Sequence, residues 1–154
     1  PDFRTIIPNI AKSWEFSDDH TTLTVTLREG MKWSDGHPFT TEDVEFWYKD
    51  VLNNENLNPV VPNIFKAGGE VVELKIVDNY TFKLIYVVPV PFILDNLAIE
   101  SGRGHLGFFV PPKHYMKQFH IEYTPLSELE TEMKEQEMEE WEELFNAKDV
   151  LHWE

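Results

Sequence analysis

The stretch LREGMKWSDGHPFTTEDVEFWY, Leu27 to Tyr48, decides how this chain folds. Leu27 closes an alternating run, Thr21 to Leu27, in which Leu23, Val25 and Leu27 point one way and Thr22, Thr24 and Thr26 the other, as in a half-buried strand. Asp35-Gly36 is a turn dipeptide, and Gly36 is expected at positive φ because glycine has no Cβ to clash there. Pro38 then holds His37 extended. Thr40 or Thr41 can cap a helix whose first turn carries Glu42 and Asp43, where the helix dipole favours negative charge. Val44, Trp47, Tyr48, Val51 and Leu52 follow at helical spacing and define one apolar face, so the helix is expected to run from Thr41 to Leu52.

Working outward, Pro1 to Ser17 reads as an extended leading segment with Trp14 and Phe16 at the edge of the core, and Ser17-Asp18-Asp19-His20 reads as a turn. Glu55 to Gly69, with Pro59, Pro62 and Gly68-Gly69, reads as a loop with one short helical turn. Glu70 to Val77 and Thr81 to Val88 form a hairpin, with Val72, Leu74 and Ile76 inward on one strand and Phe82, Leu84, Tyr86 and Val88 on the other. Asp78-Asn79 would supply a left-handed turn. Phe92 to Ile99 reads as a short helix, and Pro111-Pro112 opens another that runs to about Phe119. From Ser127 to Ala147 an interrupted stripe of Leu129, Met133, Met138, Trp141, Leu144 and Phe145 predicts two helices or a bend. By pattern the fold class is α+β, a small, mostly antiparallel sheet packed by helices.

Composition narrows the function. A chain of 154 residues with 42% hydrophobic and 14% aromatic residues can bury a core. A net charge of −15 argues against nucleic acid and anionic membranes as partners. The segment 125–154 holds 11 acidic residues and two lysines. It reads as a solvated helical face, with an acidic protein-interaction module as the alternative. The absence of cysteine rules out disulfides and thiolate chemistry. The longest apolar run, Leu84 to Leu94, is 11 residues with two prolines, too short to cross a bilayer as a helix.

No residue set assembles an enzyme. The six histidines lack an H-E-x-x-H spacing, so no metal site is expected. Ser34-Asp35-Gly36 lacks the glycine frame of a nucleophile elbow. Gly102, Gly104 and Gly107 match G-x-G-x-x-G, yet without the strand, helix and acidic residue that a dinucleotide site needs, so a close backbone crossing explains them better.

Several stretches carry a resemblance. Leu27, Arg28, Gly30, Trp33, Ser34, Asp35, Gly36, Pro38, Thr40, Asp43 and Val44 resemble the signature of the peptide/nickel-type (family 5) extracellular solute-binding proteins of ABC importers, with Thr41 where that family often has alanine. Ala11, Ser13, Trp14 and Asp19 upstream, and VVELKIVDNYTFKLIYVVPVPFIL downstream, are similar to the flanking segments. The resemblance runs from about Asn9 to Tyr115.

The resemblance implies a fragment of a class II periplasmic-binding-protein fold. Residues 1–124 would be its small subdomain and 125–154 an acidic helical extension. The parent would be extracytoplasmic, periplasmic or a cell-surface lipoprotein. It would capture oligopeptides or oligosaccharides, with the remaining lobes, an ABC permease and that ligand as partners and no cofactor. Trp33, Asp35, Gly36, Thr40 and Trp47 would be structural. Arg103, His105, Phe108 and Phe109, in the glycine-rich stretch, are the candidate ligand contacts, Arg103 pairing a carboxylate and the phenylalanines stacking.

Overall fold

A computed structural model describes residues 9–102 and 110–149; of residues 98–102 it describes the backbone alone. Four antiparallel strands form the main sheet in the order β1-β2-β6-β5. They are β1 (Ala11–Phe16), β2 (Thr22–Leu27), β5 (Glu73–Asp78) and β6 (Thr81–Ile85). The alternation in β2 sets the register. Across the sheet, Trp14, Val25, Phe82 and Ile76 form one row, and Phe16, Leu23, Leu84 and Leu74 the next. Between them, on the other face, lie Glu15, Thr24, Lys83 and Lys75.

The leading segment is more regular than its sequence suggests. Lys12, Ser13 and Glu15 hide the period, but β1 is an edge strand, half in water, and needs only Trp14 and Phe16 on the core side. The β1–β2 turn is held by Asp19, whose Oδ1 accepts from the Ser17 and Thr21 hydroxyls and the Thr21 N–H. Those donors, the Ser17 hydroxyl foremost, bring its carboxyl down to about 2.

Helix α1 (Thr41–Phe46) continues directly as a π-helical turn, Trp47–Leu52. The expected helix therefore has the right ends but a widened second half, in which the Asn53 N–H reaches back five residues to the Tyr48 carbonyl. Val44, Trp47 and Leu52 enter the core formed with Leu23, Phe82 and Leu84. Trp47 meets Phe65 edge-on at 5.1 Å. Phe46, outside the expected stripe, is buried in a second core with Met116, Phe119, Leu129, Met133, Trp141, Leu144 and Phe145. The helix is thus covered on two sides, which a single-stripe reading misses.

Two further departures concern turns. After a 3₁₀ turn at Asn63–Phe65, β3 (Lys66–Ala67) and β4 (Glu70–Val71) make a minimal hairpin where a loop was expected. Gly68 and Gly69 sit at φ +62° and +88°, the left-handed pair such a two-residue turn requires. At the β5–β6 turn, by contrast, neither Asp78 nor Asn79 is left-handed. The register shifts between Ile76 and Asp78, and the Asp78 carboxylate accepts the Tyr80 N–H at 2.8 Å. A bulge and a side-chain turn replace the expected backbone conformation. The strand ends at Ile85, short of the expected Val88, which is 39% exposed.

The remaining helices are α2 (Ile93–Gly102), α3 (Lys113–Met116, with a 3₁₀ turn to Phe119), α4 (Leu126–Glu135) and α5 (Trp141–Lys148). Between α4 and α5 the chain reverses at Glu137, at φ 57°. Trp141, Leu144 and Phe145 face inward, while most glutamates of both helices lie in water. Lys148 bridges the two helices to Glu132 at 2.6 Å.

Trp47 is 3% exposed. Trp47→Ala is expected to cost about 3–5 kcal/mol in a denaturant titration, as other large aromatic truncations do in a core. A loss under about 1 kcal/mol would show that the tryptophan does not hold the helix to the sheet.

Candidate functional site

The candidate contacts Arg103, His105, Phe108 and Phe109 lie outside the described residues. The structure defines the stems on either side of them. On the near side α2 reaches Gly102; on the far side Pro111 and Pro112 are buried and lead into α3. The far stem is fixed by Asp43. This carboxylate is 3% exposed and closes the capping box of α1 by accepting the Thr40 N–H at 3.0 Å through Oδ2. Its Oδ1 accepts the Lys113 N–H at 2.9 Å. One buried anion thus caps the first turns of α1 and α3, whose own N-cap, Pro112, makes no side-chain cap. The sequence signal was present, since Thr40 and Asp43 have capping-box spacing; the second bond spans 70 residues and has none.

The signature residues build the support around this point. Thr40 is the cap, and its hydroxyl accepts the Glu42 N–H. Thr41 instead donates to the Asp78 carbonyl at 2.7 Å and so ties α1 to the β5–β6 turn. Trp33 packs edge-on against Phe39 at 5.3 Å, and its indole N–H is buried without a hydrogen-bond partner among the described residues. Asp35 Oδ1 accepts the His37 N–H, and Gly36 is at φ +89°. The other oxygen, Oδ2, lies 2.6 Å from His114 Nε2 on α3. A carboxylate only accepts, so Nε2 carries the proton. This bond and the His37 N–H hold the Asp35 carboxyl below its usual range.

The six histidines have no metal-site spacing in the sequence, and the structure gives His114 and His120 separate places. His120 is fully buried. Its Nδ1 accepts the Glu122 N–H, so Nε2 carries the proton and donates to the Asp50 carbonyl at 2.8 Å. Phe46, Trp141, Phe145 and Tyr123 surround the ring. The Tyr123 hydroxyl, pushed up by burial and by its bond to Asp50, closes the arrangement at 2.6 Å. Among the described residues no group of three or more His, Asp or Glu is placed to hold a metal ion. No described helix is long and apolar enough to cross a membrane.

The comparisons agree with this architecture. The family described as "Bacterial extracellular solute-binding proteins, family 5 Middle" matches residues 5–146. The chain is 36% identical over 123 residues to the periplasmic alpha-galactoside-binding protein of Rhizobium meliloti, covering 76% of this chain and 16% of that one. It is 32% identical over 109 residues to the periplasmic oligopeptide-binding protein OppA of Haemophilus influenzae, covering 61% of this chain and 20% of that one. A solved oligopeptide-binding protein OppA superposes with a TM-score of 0.80 at 37% identity, covering 95% of this chain and 22% of its own.

The chain therefore belongs to the family 5 extracellular solute-binding proteins. Its fold is that of a subdomain of their class II periplasmic-binding architecture. It spans between 16% and 22% of the length of these relatives.

Two substitutions test this support. Asp43→Ala leaves the Thr40 and Lys113 N–H groups without their acceptor, and a loss of about 2–4 kcal/mol in urea unfolding is expected. An unchanged midpoint would mean that the two helices do not depend on it. Gly36→Val has open space for its side chain but a forbidden φ, so about 1–2 kcal/mol is expected to be lost from strain alone. Wild-type stability in that variant would rule the strain out.

Proposed function

We propose that this chain is the small subdomain of a solute-binding protein that delivers oligopeptides or oligosaccharides to an ABC permease, and that its own contribution is mainly structural. The observation that carries the reading is the family match across residues 5–146 together with the OppA superposition. Relatives named for an alpha-galactoside and for oligopeptides support these two ligand classes. Capture in this reading is two-lobe closure, in which both walls touch the ligand and exclude water. The partners are the remaining lobes, the permease and the ligand; the chain performs no catalysis, and the parent works outside the cytoplasm. In this reading residues 1–124 are the subdomain and 125–154 an acidic extension, a division supported by the packing of Leu129, Met133, Trp141, Leu144 and Phe145 with Phe46, Met116 and Phe119.

Arg103, His105, Phe108 and Phe109 are the proposed ligand contacts. They follow the end of α2 and precede the stem that Asp43 fixes. One wall is not a complete site. Titration calorimetry of the 154-residue chain against peptide and oligosaccharide panels is expected to give no affinity tighter than about millimolar, near 4 kcal/mol. A micromolar ligand would mean that the site is complete within these residues and would overturn the structural role.

A further inference from the structure

The imidazoles of His37 and His114 are stacked, with ring centroids 3.8 Å apart and planes 17° from parallel. They come from different elements, the Asp35-Gly36 turn and the first turn of α3. Asp35 bonds the His114 ring from the side, 79 residues away in the chain. His114 Nδ1 is buried and has no hydrogen-bond partner among the described residues. The geometry points to an acid-operated latch: the stacked histidines hold α3 against the turn while at most one ring is charged, and release it when both are protonated.

The physical chemistry follows from the contacts. One proton on the stack is balanced by the Asp35 carboxylate beside it. A second places two like charges on facing rings. If His114 takes a proton at Nδ1, it also gains a buried N–H that no described group accepts. Other charged groups on the elements that meet here are Lys32, in the isolated bridge to Pro38, Lys113 and Lys117 on α3 and the turn after it, and Glu42 and Asp43 in the first turn of α1, Asp43 beneath the Lys113 N–H. The Asp43 carboxylate is already engaged by two backbone N–H groups. Because the Asp35 carboxyl lies below its ordinary range, it stays ionised throughout the interval in which imidazoles change charge, about pH 8 to 5. The histidines therefore set the window, and the latch is closed above it and open below.

The consequence falls on the seam between the two cores, since α3 carries Met116 and Phe119 of the second core while the turn belongs to the first. Histidines elsewhere also titrate, so the test is differential. The folding equilibrium of the 154-residue chain is measured by urea denaturation at pH 7.5 and 5.0, for the wild type and for His37→Phe, which keeps a ring to stack but no proton site. The wild type is expected to lose about fivefold more in its folding constant than the variant, the value of two unit charges about 4 Å apart in a water-like medium. Equal pH dependence in the two proteins overturns the latch.

Amide exchange on the unaltered protein gives a second reading. Protection of the Tyr115 and Met116 N–H groups, both bonded to the Pro112 carbonyl, is expected to fall as both imidazole resonances titrate. Protection that stays constant through that titration overturns the proposal equally.

Discussion

A single buried carboxylate organises this molecule. Asp43 has two oxygens and two backbone donors, and those donors belong to helices that start 72 residues apart, at Thr41 and Lys113. Hydrogen bonds to an ionised acceptor are among the stronger ones in proteins, and an unmet buried N–H is costly. The two helix starts are therefore placed together or not at all. From α1 the constraint passes to the sheet through Thr41 and the Asp78 carbonyl. From α3 it passes to the second core through Met116 and Phe119.

The two cores meet on one helix. Val44 and Trp47 look toward the sheet, and Phe46 looks toward α4 and α5. His120 occupies the middle of the second core, but it is not a catalytic group in waiting. Both ring nitrogens are bonded, to the Glu122 N–H and to the Asp50 carbonyl, and four aromatic rings enclose it. A fully bonded buried polar group fixes which packing is allowed, because any other leaves a donor or acceptor unmet. The acidic helices are held in place in this way, with their apolar stripe against the core and most of their carboxylates in water.

What the sequence revealed, and what it hid, follows from the range of each interaction. Leu23, Val25 and Leu27 alternate within a single strand, so β2 was legible, and with it the sheet's inner face. Gly36, the Thr40 cap and the break between α4 and α5 are likewise local, and each was readable from its own few residues. Phe46 was missed because a helix packed on two sides carries two stripes. The β3–β4 hairpin was missed although Gly68-Gly69 signals it, because strands of two residues have no period to detect. The Asp35–His114 and Asp43–Lys113 bonds span 79 and 70 residues and leave no periodic trace. At the candidate ligand segment, residue types and the double proline at its exit were the whole signal. The family match across residues 5–146 adds the setting, a subdomain of the solute-binding architecture.

The π-helical turn at Trp47–Leu52 bears on the history of the chain. Such a turn holds one residue more than ordinary α-helical bonding would use, and the surplus is absorbed locally by wider hydrogen bonds. Lys49, with a side chain 62% exposed, sits in this turn and pairs only with Glu45 among the described residues. Removing one residue there would return the bonding to the α pattern and leave Val44 and Leu52 in phase with the sheet. The same deletion in the α-helical half would rotate the following face by about 100°. The segment is therefore a place where sequence length can drift by one residue without displacing either core.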